Sequence, residues 1–253
     1  MRYARSVATI ILLAGFGPGT ALAQQAASTA YYEFMMARRL ESAGKTDEAL
    51  AALQRAAAPD RTSAEIKAEI ASVHLRRTPP NREAGEKAAK EALALDENNA
   101  EANRTLGYLY ANAVDTSSRQ MSPQMMTYLR DAITHLERAQ AGTVGTDANL
   151  LVTVGRLYSA NNEHAKAIQA LTRVAAQNPN NPQARRTLAE AYAASGDLKG
   201  AMAALEEVVE YLPNIAGDLG RYQEQAGLLR EAAVSYTIAL AVSPNNRRLK
   251  FNR

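Results

Sequence analysis

The chain contains no cysteine and no tryptophan, and only three phenylalanines among its 253 residues. Without cysteine there is no disulfide, no thiolate metal site, no cysteine nucleophile and no lipid attachment through a cysteine thioether. Stability must therefore come from packing, and a chain of this length can bury a substantial apolar core. Runs of Val, Ile and Thr in strict alternation, the mark of half-buried strands, do not occur over any useful length. Long apolar runs are also missing. The longest, Val7 to Phe16, spans roughly half of the ~20 residues that a membrane-crossing helix needs.

That run has a recognisable setting. Arg2 and Arg5 precede it, Gly17-Pro18-Gly19 break it, and Ala21-Leu22-Ala23 follow. A basic start, an apolar middle and an A-x-A end are the three zones of a secretory signal peptide, so residues 1–23 are expected to be removed after Ala23. The product would be exported: periplasmic in a Gram-negative bacterium, secreted otherwise. Two arginines and no acid leave with the leader, and the formal charge falls from +3 to +1. Such a balance gives no reason to expect nucleic acid or an anionic membrane surface as partner, and no integral membrane segment remains after cleavage.

What the chain does have is alanine, leucine, glutamate, arginine and lysine in quantity, residues that lose little entropy in a helix. They are arranged with a period. In "PQARRTLAEAYAASGDLKGAMAALEEVVEYLP", Pro182 to Pro213, Leu188, Ala189 and Tyr192 share one helical face, Gly196-Asp197 interrupt, and Ala201, Leu205 and Val208 share the next before Pro213. Thirty-four residues earlier stand Val154-Gly155, Tyr158, Ala167, Leu171, Val174 and Pro179. The small residue (Gly107, Gly155, Ala189, Gly220) predicts a close approach of two helices, and the aromatic three places on (Tyr110, Tyr158, Tyr192) fills the space beside it. Gly196 and Gly227 are placed to end helices in the left-handed conformation.

This 34-residue step resembles the tetratricopeptide repeat. The resemblance implies an all-α fold, a right-handed α-α superhelix of about six helix pairs spanning residues 24–253, because no single pair buries its own apolar face. The approximate units are 30–60, 63–99, 100–141, 148–181, 182–213 and 213–246. The third holds an insertion at 114–122. Twenty-one residues separate Tyr110 from Ala132, where eight separate Tyr158 from Ala167. Ser122-Pro123 reads as an N-cap followed by proline at the first helical position, which lengthens the second helix of that unit; the first is expected to run toward Val114. Arg247 to Arg253 resemble the opening turns of a further unit.

No catalytic constellation emerges. His74, His135 and His164 lie in three different units without H-x3-H or HExxH spacing, no glycine-rich loop follows a strand, and no G-x-S-x-G elbow is present. Consecutive acids such as Glu206-Glu207 point in different directions from a helix. The expectation is a non-enzymatic chain with no metal and no cofactor.

The resemblance implies instead a concave groove lined by the first helix of each unit, at its second, fifth, sixth, ninth and twelfth positions. Those places hold Arg38; Arg104 and Tyr108; Thr153 and Arg156; Gln183, Arg186, Thr187 and Glu190; and Arg221. Arginine recurs on one side of successive helices, either as a ladder for carboxylates or peptide carbonyls or as solvated residues paired with acids such as Glu190 and Glu224. The lysine, asparagine and arginine clamp of chaperone-binding relatives is not reproduced, since Tyr108 stands at the asparagine place. The expected function is a scaffold that binds a protein or peptide partner in this groove, in envelope or surface-polysaccharide assembly. The alternative is the N-terminal regulatory array of a longer enzyme or outer-membrane protein.

Overall fold

A computed structural model describes residues 18–59, 62–116, 120–143, 145 and 147–243. The charged and apolar zones of the leader, the centre of the insertion and the stretch after Ser243 lie outside the described residues. Among those described there are twelve α-helices and no strand. In chain order they are α1 (Pro18–Ser42), α2 (Thr46–Ala57), α3 (Ala64–Arg76), α4 (Arg82–Leu95), α5 (Ala100–Ala111), α6 (Pro123–Ala141), α7 (Ala148–Ala160), α8 (His164–Gln177), α9 (Pro182–Ala194), α10 (Leu198–Glu206), α11 (Ala216–Gln225) and α12 (Leu229–Val242). A 3-10 turn, Pro213–Ile215, leads into α11.

Local chemistry sets the starts and stops. Ser63, Asn81, Ser122, Asp147, Asn181 and Asp197 each accept a hydrogen bond from the backbone N–H three residues on, satisfying a donor that the first helical turn leaves open. Gly196 and Gly227 have φ of 88° and 79° after α9 and α11, the left-handed turn expected of them, and Gly44 after α1 does the same at 75°. Asn162, one 34-residue step before Gly196, adopts φ 61° and does the same after α7.

The chain forms two compact units, residues 1–109 and 110–253. In the first, α1 packs on α2 and α3 on α4, with α2 also against α3. Ala37, Leu50, Leu53, Ala56, Ile66 and Val73 make one apolar cluster there, and Ala68, Ala92 and Ala102 another. In the second, α7 packs on α8, α9 on α10 and α11 on α12; α9 also meets α7 and α8, and α10 meets α11. Its seams are closed by Leu150, Leu157, Leu171, Leu205, Ile215, Tyr222 and Tyr236, all essentially without solvent contact. Within each unit neighbouring pairs share an apolar seam, which is how a repeat array distributes its core.

Glycine governs the closest approaches. A Cβ on Gly85 would stand 2.7 Å from the Leu75 side chain, and one on Gly220 2.8 Å from the Tyr236 ring. At the insertion, Ser122 caps α6 and Pro123 opens it, giving a helix of 19 residues. The expected extension of α5 toward Val114 does not occur. The helix ends at Ala111, and Val114 is buried from a turn whose N–H groups bond back to Tyr110 and Ala111. The ring of Tyr110 stacks on Tyr128 of the lengthened α6 at 5.5 Å. Similarly, α10 stops at Glu206, well before Pro213, while turns carry the chain through Tyr211 with Val208 still buried.

Candidate partner-binding face

In the first unit, α1, α3 and α5, the first helices of their pairs, bring Arg38, Glu41, Ser42, Glu69, Arg76 and Glu101 around a cleft of about 360 Å³. Arg76 pairs with Glu41, reaches Glu69 at 3.4 Å and donates to Ser72 Oγ at 2.6 Å; Ser72 in turn donates to Glu101 at 2.8 Å. Burial pushes the Glu69 carboxyl above its ordinary range, while Arg38 and Arg76 pull it back. Arg38 itself is exposed and makes no ion pair within 4 Å among the described residues. Arg104 and Tyr108 on α5 are half-buried, and Arg104 lies 3.7 Å from Glu101.

In the second unit the arginines come from α7, α9 and α11, again the first helices. Arg186 donates to Asp218 at 2.7 Å and to the Asn214 carbonyl at 2.7 Å, so α9 is tied to the start of α11. Arg221 lies 3.6 Å from the same Asp218, with its guanidinium 4.4 Å from the centre of the Tyr222 ring. Glu190 lies in the field of all three arginines: burial raises its carboxyl, and Arg221, Arg156 and Arg186 oppose that rise. Arg156 is exposed and has no ion pair among the described residues. Arg156, Arg186 and Arg221 thus all act on the Glu190 carboxyl. The pairing differs from the expected one. Arg186 and Arg221 take Asp218, and Glu224 accepts from the Tyr236 hydroxyl at 2.7 Å.

The remaining positions divide. Gln183 is exposed and Thr153 half-buried, with the Thr153 hydroxyl donating to Asn149 O at 2.9 Å. Thr187 is only 2% exposed and donates to Gln183 O at 2.9 Å, so it packs inside the α9 seam and does not offer a groove contact. Sequence reading passed over Glu41, Glu69, Arg76, Glu101 and Asp218. A signal for three of these acids was present: Glu41, Glu101 and Asp218 stand three residues from Arg38, Arg104 and Arg221, on the same helical face. Of the five ladder arginines, Arg156 alone has no acid three or four residues away, and it is unpaired in the fold.

Helix pairs joined by αL turns, small residues at the seam and, within each unit, first helices that bring their polar side chains together are the geometry of a helical repeat. Residues 158–224 match the family model of the tetratricopeptide repeat. Over these residues the chain is tetratricopeptide repeat. Solved structures share the fold of this repeat protein. PilW, a type IV pilus biogenesis factor, superposes with a TM-score of 0.62 at 15% identity, over 88% of this chain and 97% of its own. YrrB, described as a TPR protein with an unusual peptide-binding site, gives 0.64 at 18% identity, over 79% and 96%. The C-terminal part of a TPR protein from Cytophaga hutchinsonii gives 0.64 at 17%, over 88% and 87%. No curated protein matches the chain by sequence.

Proposed function

We propose that this repeat protein is an exported, non-enzymatic scaffold that holds a protein or peptide partner against the first-helix face of its repeats, in envelope or surface-polysaccharide assembly. The observation that carries the reading is Arg156. It projects from α7 without a carboxylate, beside the Arg186–Asp218–Arg221 group and the raised carboxyl of Glu190. A fork-shaped donor left unpaired among paired ones is the group most available to a carboxylate or a peptide carbonyl from outside. The family supports a protein partner. The roles of PilW in pilus biogenesis and of YrrB in peptide binding suit an envelope setting and an extended ligand.

Arg156→Glu is the cleanest test, because it breaks no internal ion pair. Partners cross-linked to the exported chain in its own cell should be lost in that variant while the helical circular dichroism is kept. Unchanged cross-linking would remove the arginine group from the binding face. Export is tested by N-terminal sequencing of the extracytoplasmic protein, which should begin at Gln24; a chain that keeps Met1 in the cytosol would overturn it. The second reading, a regulatory array of a longer protein, draws on the likeness of "PNNRRL" after Ser243 to "PNNPQA" at the start of α9. Sequencing the reading frame beyond Arg253 decides it.

A further inference from the structure

The second helices of the second unit can be aligned on a buried alanine in each: Ala132, Ala167, Ala201 and Ala232. Two, six and ten residues beyond that alanine lies an outward stripe that is exposed in every case. It reads Thr134, Arg138 and Gly142 after α6's alanine, Gln169, Arg173 and Gln177 on α8, and Ala203, Glu207 and Tyr211 from α10 onward. On α12 it reads Val234, Ile238 and Val242, which are 61%, 37% and 47% exposed. Both α8 and α10 have a neighbouring helix on either side, and their stripes remain exposed. A further repeat stacked after α12 would therefore leave Val234, Ile238 and Val242 in solvent. The stripe is not the stacking face of the array, and it is not on the first-helix face discussed above.

We infer that this stripe is a self-association surface, and that its occupant is α12 of a second copy of the chain, running antiparallel about a two-fold axis at Ile238. Spacing is the first reason. Residues at i, i+4 and i+8 are symmetric about their centre, so the two-fold sets Ile238 against Ile238 and Val234 against Val242 of the second copy, an isologous contact. Charge is the second. No charged residue occurs from Ala232 to Val242, so the surface that fits is itself uncharged, because a charged partner group would lose its water with nothing to replace it. The same lack of lysine and arginine disfavours an anionic bilayer, which selects helices with a basic polar face. Flanking chemistry is the third. Thr237 and Ala241 are exposed and small enough for helix axes to approach to about 8–10 Å. The Thr237 hydroxyl already donates to Ala233 O at 2.8 Å, so covering it strands no polar group. Valine and isoleucine are stiff at χ1 and have little rotamer freedom to lose. One helix pair buries less than the ~1,200 Å² of a stable interface, so the dimer is weak and reversible.

The absence of cysteine gives a direct experiment on the full chain. The single-cysteine variant Ile238→Cys, under mild oxidation, should form a disulfide with its own copy, whereas Gln169→Cys on the equivalent stripe of α8 should not. Sedimentation velocity of the unmodified chain over a roughly hundredfold concentration range should show a dimer that grows with concentration by mass action. Ile238→Asp should abolish it with unchanged helical circular dichroism. A sedimentation coefficient independent of concentration, with Ile238→Cys no more cross-linked than Gln169→Cys, would overturn the proposal. So would flotation of the monomer with anionic phosphatidylglycerol vesicles that Ile238→Asp abolishes, since the stripe would then be a membrane contact. If Ile238→Asp fails to fold, the cysteine comparison still decides.

Discussion

Gly155 and Leu171 meet so closely that a Cβ on the glycine would lie 2.5 Å from Leu171 Cγ and 2.8 Å from both of its methyl groups. Leu171 is fully buried and has nowhere to turn. The seam of the α7–α8 pair is thus built around a missing methyl group. Gly155→Ala should gain up to about 1 kcal/mol in helix propensity and lose more through overpacking, for a net loss of roughly 1–2 kcal/mol. Urea denaturation measures it. Adding Leu171→Val should recover part of the loss, because the two sites share one space.

A second prediction concerns the turns after α7 and α9. A Cβ on Gly196 would touch nothing within 4 Å, so its φ of 88° is the only obstacle to a side chain. Gly196→Ala should cost about 1–2 kcal/mol, all of it from the backbone. Asn162 already occupies the equivalent turn at φ 61°. Asn162→Gly should be close to neutral, within about 0.5 kcal/mol, and thermal denaturation of the two variants separates the cases.

Glu69 makes stability depend on acid. Burial raises its carboxyl above the ordinary 4.5; Arg38 and Arg76 oppose the rise, and Glu101 and Glu41 reinforce it. The folded state therefore holds the proton to higher pH than the unfolded chain, and the stability tied to it is lost as pH rises from about 4.5 through the raised folded value. Glu69→Gln removes this dependence. Compared with the unmodified chain, the variant should gain stability as pH rises through that window, and the difference should disappear below it. Urea midpoints at several pH values give the result.

Val114 and Ser122 bound the removable part of the insertion. Val114 is buried, and the Ser122 side chain caps α6 by accepting from the Met125 N–H. Replacing Asp115 to Met121 with a short glycine-containing turn should leave the thermal midpoint within a few degrees, as for a surface loop. Extending the deletion through Ser122 should cost a further ~1 kcal/mol through the lost cap.

Elements built within one helical turn were open to sequence reading. The αL turns at Gly196 and Gly227 and the Ser122-Pro123 start of α6 depend on hydrogen bonds and steric limits among residues at most five apart, and the 34-residue step is visible as recurrence alone. The length of α5 was misjudged toward Val114. Apolar spacing continues past Ala111, but burying Val114 from a turn serves the core as well as a helix would.

By itself, then, the sequence determined that the chain is a helical repeat, where α6 begins, and that arginine recurs on the first helices. Tertiary structure alone decided what those arginines do. Arg186 takes Asp218, 32 residues away, in place of Glu190 on its own helix, and Arg76 joins Glu41 across 35 residues. Thr187 turned inward for the same reason. The distance between two helices follows from the summed volumes packed along their seam, so which charges come within 4 Å is settled only when every seam has closed.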